Sequence, residues 1–248
     1  MAEKTKITAA SFQKSKVKSQ KLAALTAYDF QMARLFDEAG LDIILVGDSV
    51  GNVMLGYRNT LPVTMNEMVI HTQAVARGVK RALVVADMPF GSYQSDPKLA
   101  VSNAIDLAKA GAEAVKLEGV EYLDIIKKII KAGIPVMGHI GFLPQSVNRT
   151  GIKISKESAR LIKEAKALEK AGCFALVLEL IDPQVAKKIT KAIKVPTIGI
   201  GSGPNCTGQI LVGYDMLGIY PDPPRFVRKY LNLAAEIKTA VKRFISSV

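Results

Sequence analysis

The stretch Ile43–Gly51 reads I-I-L-V-G-D-S-V-G. Four apolar residues run into Asp48 and Ser49 and stop at a glycine, so a buried strand would end on a carboxylate beside a hydroxyl. A turn uses such residues, and so does a metal site. The arrangement recurs along the chain. Apolar runs stand at 21–28 (K-L-A-A-L-T-A-Y), 83–87 (L-V-V-A-D), 114–119 (A-V-K-L-E-G) and 135–141 (P-V-M-G-H-I-G). Three more follow at 175–181 (A-L-V-L-E-L-I), 196–201 (P-T-I-G-I-G) and 209–215 (Q-I-L-V-G-Y-D). Most are nearly continuous in apolar residues rather than alternating, which predicts strands covered on both faces in a parallel sheet.

The intervening segments carry helix punctuation. Thr64-Met65-Asn66-Glu67 has capping-box spacing. Asp96-Pro97 and Asp182-Pro183 each put a capping carboxylate before a proline suited to a first helical turn. Four segments end in Ala-Gly, at Gly40, Gly111, Gly133 and Gly172, where glycine closes a helix. Phe226, Tyr230, Leu233, Ile237, Val241 and Phe244 space as one face of a last helix. Eight β-α units in 248 residues predict a closed (β/α)8 TIM barrel, α/β in class. No Ser/Gly-rich linker interrupts the series, so residues 1–248 read as one domain, with 1–20 a basic segment before the first strand. The alternative, an open doubly wound sheet, calls for an early G-x-G-x-x-G turn that is missing after the first strand. Gly199-Ile200-Gly201-Ser202-Gly203 comes too late for it, and reads either as a phosphate-binding turn or as a tight loop.

Composition excludes several classes. With 49% hydrophobic and 23% charged residues the chain reads as soluble and globular. No apolar run approaches the roughly 18 residues of a membrane helix. The N-terminal lysines have no apolar block behind them, as a signal peptide requires. Cys173 and Cys206 have neither metal-type spacing nor the numbers for a disulfide framework. A cytoplasmic protein is expected. The net charge is +12, and Lys4, Lys6, Lys14, Lys16, Lys18 and Lys21 crowd the N-terminus. No aromatic interleaves them as a base-stacking platform would need, so nucleic acid is not an expected partner. The other lysines read as a solvated surface that helps attract an anionic substrate.

In a barrel, chemistry gathers where strands give way to the loops preceding helices. Those ends carry Tyr28-Asp29, Asp48-Ser49, Asp87, Lys116 with Glu118, His139, and Glu179. One such group is a turn residue by default, and Asp29 reads equally as a helix cap. Asp48, Asp87 and Glu118 form an oxygen-only set suited to Mg²⁺ or another hard divalent cation. The plainer alternative is charge pairing with Lys116 and surface lysines. Lys116 and Glu118, two apart on a strand, face the same side. His139 reads as a site residue, whereas His71 lies in a helical segment. Glu179 sits among aliphatic residues, which makes a carboxylate a stronger base; a structural ion pair is the alternative.

V-G-D-S-V-G-N-V, T-L-P-V-T-M, A-D-M-P-F, V-K-L-E-G, G-H-I-G-F-L-P-Q-S-V-N and G-I-G-S-G with G-Q-I-L-V resemble the ketopantoate hydroxymethyltransferase family over residues 20–248. That family has the (β/α)8 fold. The resemblance implies transfer of a one-carbon unit from 5,10-methylenetetrahydrofolate to 3-methyl-2-oxobutanoate, giving 2-dehydropantoate and tetrahydrofolate. It further implies Asp48 and Asp87 as Mg²⁺ ligands, with Glu118 acting through a metal-bound water. Ser49 and Lys116 would hold the substrate carboxylate, His139 would contact substrate or product, and Glu179 would accept the proton. A homo-oligomer, often a decamer in the family, is implied as well. The closest rival is a Mg²⁺-dependent lyase or mutase of the phosphoenolpyruvate/pyruvate barrel class. A reactive cysteine in a lyase-type motif would favour it, and none is present.

The chain departs from the family pattern in places. The segment N-R-T-G-I-K-I-S-K-E-S (148–158) is shorter than the usual glycine-rich insertion expected to cover the site. Thr207 stands where aspartate is usual, Tyr214-Asp215 where His-Asp is frequent, and Arg58-Asn59 where Asp-Ser is usual.

Overall fold

The computed structural model describes residues 5–12 and 21–248; Lys4, Lys14, Lys16 and Lys18 of the basic segment lie outside them. All eight apolar runs are strands: β1 (Leu22–Thr26), β2 (Ile43–Val46), β3 (Leu83–Asp87), β4 (Ala114–Glu118), β5 (Val136–Gly141), β6 (Ala175–Glu179), β7 (Thr197–Ile200) and β8 (Gly208–Leu211). They pair in parallel and in chain order, and β8 returns to β1 to close the barrel. Around them run α1 (Phe30–Glu38), α2 (Val50–Val53), α3 (Met65–Gly78), α4 (Pro97–Lys109) and α5 (Leu123–Lys131). The series continues with α6 (Val147–Thr150), α7 (Ser158–Ala171), α8 (Pro183–Ala192), α9 (Gly213–Leu217) and α10 (Leu233–Ser247).

The punctuation works as the residue types dictate. Thr64 and Glu67 form the reciprocal capping box of α3. Asp96 and Asp182 accept backbone N–H bonds at the starts of α4 and α8, each before its proline. Asp29 caps α1 through Met32 N–H. The four Ala-Gly glycines all take positive φ.

Strand parity sorts the side chains into two cores. Ile44, Val46, Val84, Ala86, Val115, Leu117, Leu176 and Leu178 face the helices. Alternate residues, Leu22, Ala24, Ile43, Leu45, Leu83, Val85, Ala114, Met137, Ala175 and Val177, fill the barrel interior. Ile7, Ala9 and Phe12 close its N-terminal end, with Phe12 edge-on to Phe174 at 5.9 Å between ring centroids. Lys6 and Lys21 bond carbonyl oxygens of Ala82, Pro204 and Cys206 around that end.

The C-terminal face needs correcting. The helix begins at Leu233, with Asn232 capping it, so Phe226 and Tyr230 are not on it. Residues 226–232, downstream of Pro221, Pro223 and Pro224, form no helix. No residue of α10 is buried in this chain, and Ile237, Val241, Phe244 and Ile245 are exposed. Among the described residues no helix is long and apolar enough to cross a membrane.

Candidate active site

The inward parity that packs the barrel continues to its C-terminal end, where the residue type changes. Leu83 and Val85 are followed by Asp87, Ala114 by Lys116 and Glu118, Met137 by His139, and Ala175 with Val177 by Glu179. Strand register sets them side by side: Asp87 pairs with Lys116, Glu118 with His139, and Gly141 with Glu179. Asp48, Ser49, Asp87, Lys116, Glu118, His139 and Glu179 all line one cavity of about 320 Å³. Asp48 and Ser49 reach it because Gly47 leaves room. A Cβ at Gly47 would lie 2.8 Å from Ser49 Oγ and 3.6 Å from Asp87 Oδ2.

Ser49 answers the question its sequence raised. It precedes α2 but makes no side-chain capping bond. Its hydroxyl instead lies 2.8 Å from the phenol of Tyr28, which accepts a bond from Thr26 Oγ1 at 2.7 Å. Tyr28 is therefore a site-supporting residue, and Tyr214 packs edge-on against it at 5.7 Å. His71 lies outside the cavity lining, with Nδ1 2.7 Å from the Tyr28 carbonyl oxygen.

The buried charges are interlocked. Lys116 Nζ stands 2.9 Å from Asp87 Oδ1, while Asp87 Oδ2 accepts the Asp48 N–H at 3.0 Å. His139 lies between two carboxylates, Nδ1 3.5 Å from Glu118 and Nε2 3.2 Å from Glu179. Burial, with Asp87 and Glu118 close by, raises the Asp48 carboxyl to about 8. Burial also raises Asp87, against the opposing pull of Lys116. For Glu118 burial acts upward, but His139 and Lys116 outweigh it and its pKa falls. Burial acts to lower Lys116, yet Asp87, Glu118 and Asp48 raise it overall. His139 is raised to about 9, because Glu118 and Glu179 outweigh burial and Lys116. Glu179 is less enclosed than its aliphatic neighbours suggest, its side chain 17% exposed toward the cavity.

Two features escape sequence reading. Gln145 is buried and fully engaged: its N–H bonds Glu118 Oε2 at 3.1 Å, and its amide NH₂ bonds Asp48 Oδ2 and the Met88 carbonyl, both at 2.9 Å. Its amide oxygen accepts from Tyr93 and Gln94 at 2.8 and 3.0 Å. Because the Met88 carbonyl can only accept, the amide orientation is fixed, and one Asp48 oxygen is held in place. Leu180, directly after Glu179, takes φ 46°, which costs a non-glycine residue about 1–2 kcal/mol. Bonds from Leu180 N–H to Ile200 and from Ser155 N–H to Leu180 hold it there.

Other expectations move away from the site. The Gly201 loop is a tight packing loop: Ser202 is fully buried and donates to the Leu178 carbonyl, and a Cβ on Gly201 would meet Leu180 at 2.7 Å. Thr207 lies at the N-terminal end of β8 and exchanges hydrogen bonds with Thr197.

The donor set fits a hard cation at Asp48 and Asp87. At the strand ends four carboxylates face Lys116 and His139, and no hydrogen bond from the described residues reaches Asp48 Oδ1. Glu118 Oε2 accepts the Gln145 N–H, while its Oε1 only faces His139 Nδ1 at 3.5 Å, without a hydrogen bond. Among the described residues no three His, Cys, Asp or Glu side chains close up into a metal-binding group, so substrate oxygens and water must complete any coordination.

The ketopantoate hydroxymethyltransferase family profile matches residues 6–248. The chain belongs to the ketopantoate hydroxymethyltransferase family. The 3-methyl-2-oxobutanoate hydroxymethyltransferase of Caldicellulosiruptor saccharolyticus is 52% identical over 250 residues, covering 98% of this chain and 95% of its own. Two solved structures share the fold of this family member at low identity. A 2,3-dimethylmalate lyase of the PEP mutase/isocitrate lyase superfamily has TM-score 0.67 and 16% identity, covering 96% of this chain and 87% of its own. A phosphonopyruvate hydrolase, solved with oxalate and Mg²⁺, has TM-score 0.65 and 14% identity, covering 97% and 86%. The fold is all that those two establish, whereas the transferase family rests on sequence over nearly the full chain.

Proposed function

We propose that this enzyme makes 2-dehydropantoate and tetrahydrofolate from 3-methyl-2-oxobutanoate, 5,10-methylenetetrahydrofolate and water, with Glu179 removing the C3 proton. The observation that carries this reading is the cavity in which Glu179 faces the Asp48, Asp87 and Lys116 cluster. A divalent cation such as Mg²⁺ held by Asp48 and Asp87 would polarise the 2-oxo group and stabilise negative charge on its oxygen. Lys116, fixed by Asp87, turns its remaining N–H bonds to the substrate carboxylate, and Ser49 adds a hydroxyl. Glu118 keeps His139 oriented and protonated. His139 in turn steadies one oxygen of Glu179 and leaves the other to take the proton. Gln145 holds Asp48 by one oxygen, so the other would be free to help hold a cation. Together these fix the substrate plane and the base before reaction, so that little orientation is left to be gained at the transition state.

The test is solvent exchange. Protein with Mg²⁺ and 3-methyl-2-oxobutanoate in D₂O, without folate, should lose the C3 proton signal by NMR. Glu179→Gln should lower that rate by about 10²–10⁴-fold while still binding the oxo acid. Wild-type protein that neither exchanges the proton nor forms product with methylenetetrahydrofolate would sink the reading. The homo-oligomer implied by the family resemblance is also a proposal. The exposed apolar residues of α10 support it, and light scattering measures it.

A further inference from the structure

Two loops complete the cavity wall beyond the strand ends. The loop after β5 contributes Phe142, Pro144 and Val147 from its start, and Ile152 beyond α6. Ile152 is 74% exposed, an aliphatic side chain left on the rim. The connection from β2 to α3 contributes Asn52, Arg58 and Asn59. The rim thus offers apolar surface together with one cluster of polar donors.

The charges are unequally committed. Of the three cations lining the cavity, Lys116 is paired with Asp87 and His139 lies between Glu118 and Glu179. Arg58 is exposed and makes no hydrogen bond or ion pair with any described residue. Yet the chain on either side of it is pinned. Tyr57 N–H bonds the Gly51 carbonyl at 2.7 Å, and Asn52 bonds the Tyr57 carbonyl at 3.2 Å. The Tyr57 phenol bonds Glu67 at 2.6 Å, and Asn59 accepts the Leu61 N–H at 3.1 Å. A held backbone carrying an unspent guanidinium lowers the ordering cost of binding an anion.

We infer that Arg58 docks the carboxylate-bearing glutamyl tail of the one-carbon donor, whose aromatic rings lie against Phe142 and Ile152. This rests on the transferase reading above and extends it to the second substrate. The oxo acid is small, and its carboxylate is served by Lys116 at the cavity floor. The donor carries a partly reduced pterin and a benzoyl ring ahead of an anionic end, which matches an apolar rim beside a lone arginine. Arginine suits the task because its planar fork takes a carboxylate bidentately. The tail is bound and released unchanged, so no bond is made or broken there.

Steady-state kinetics with Mg²⁺ test this. Arg58→Gln should raise KM for methylenetetrahydrofolate about ten-fold, the loss expected for a charged hydrogen bond, while KM for the oxo acid moves less than two-fold. Arg58→Lys should recover part of the loss. With a donor whose glutamyl carboxylates are converted to amides, wild-type and Arg58→Gln protein should show equal KM. A rise in the oxo acid KM instead would assign Arg58 to the first substrate and overturn the inference, as would two unchanged KM values. C3-proton exchange by wild-type protein needs no donor, so its absence would signal failure of the transferase reading and not of Arg58 alone.

Discussion

At the N-terminal end of the barrel the inward layer is Leu22, Ile43, Leu83 and Ala175, closed by Phe12 and Phe174. Four residues further along β3, roughly 13 Å away, the same face carries Asp87, with Lys116, Glu118 and His139 beside it. Both layers are buried, and both sit on the same strands in the same parity. One is apolar and held by packing; the other is held by the pairing of Lys116 with Asp87 and of His139 with Glu118 and Glu179. The strands therefore supply position at both ends, while residue type alone decides whether an end serves stability or chemistry.

Removing one partner from each end exposes that difference most strongly. Lys116→Met leaves Asp87, Asp48 and Glu118 without their shared cation. Breaking a buried pair this way costs about 3–5 kcal/mol, and turnover should be lost with it. Phe12→Ala opens a cavity against Phe174 and should cost a similar 3–5 kcal/mol, with kcat per folded molecule unchanged. Urea unfolding and turnover measured on both variants decide the matter. A Phe12→Ala protein that folds but turns over slowly would break the comparison.

The two ends also differ in how far a sequence discloses them. The apolar end and the barrel were legible because strands buried on both faces read as apolar runs, and Thr64, Asp96 and Asp182 mark where helices begin. Asp48, Asp87, Lys116, Glu118, His139 and Glu179 were legible as the places where those runs turn polar. Gln145 was not, although it stands in the quoted G-H-I-G-F-L-P-Q-S. It lies in a 3-10 turn, where no periodicity marks a buried face, and its partners Asp48 and Met88 are 97 and 57 positions away. Tyr28 was noted as a strand-end residue, but its bond to Ser49 depends on a contact across two strands. The last helix is shorter than its apolar spacing suggests, because that spacing extends through Phe226 and Tyr230, upstream of the Asn232 cap where the helix begins.

pH acts on the charged end. Burial raises Asp48 from 3.8 to about 8, and the flanking carboxylates raise His139 from 6.5 to about 9. In both groups the folded state binds its proton more tightly than the unfolded state does. The stability each contributes is complete below the unfolded pKa and is lost as pH rises through the folded one. Metal-free protein should therefore lose stability between pH 6.5 and 9, His139 accounting for at most about 3 kcal/mol. His139→Gln should flatten that slope in urea titrations. Added Mg²⁺ should restore stability most at high pH, where Asp48 is ionised. A metal-free protein equally stable at pH 6.5 and 9 would show that these charges are not coupled to folding.

The smallest expected effect is the sharpest check that the ends are independent. Thr207 stands where the family resemblance leads one to expect aspartate, yet its hydroxyl accepts the Thr197 N–H at 3.2 Å at the start of β8. The cavity begins only at Ile210 on that strand, roughly 10 Å from Thr207 by strand rise. An aspartate there can accept the same N–H, and Lys21, which bonds the neighbouring Cys206 carbonyl at 2.8 Å, offsets its charge. Thr207→Asp should therefore change kcat by less than two-fold. A five-fold change in kcat would mean that the hydrogen bonds at the apolar end reach the site through β8, and that the layers between them do not insulate it.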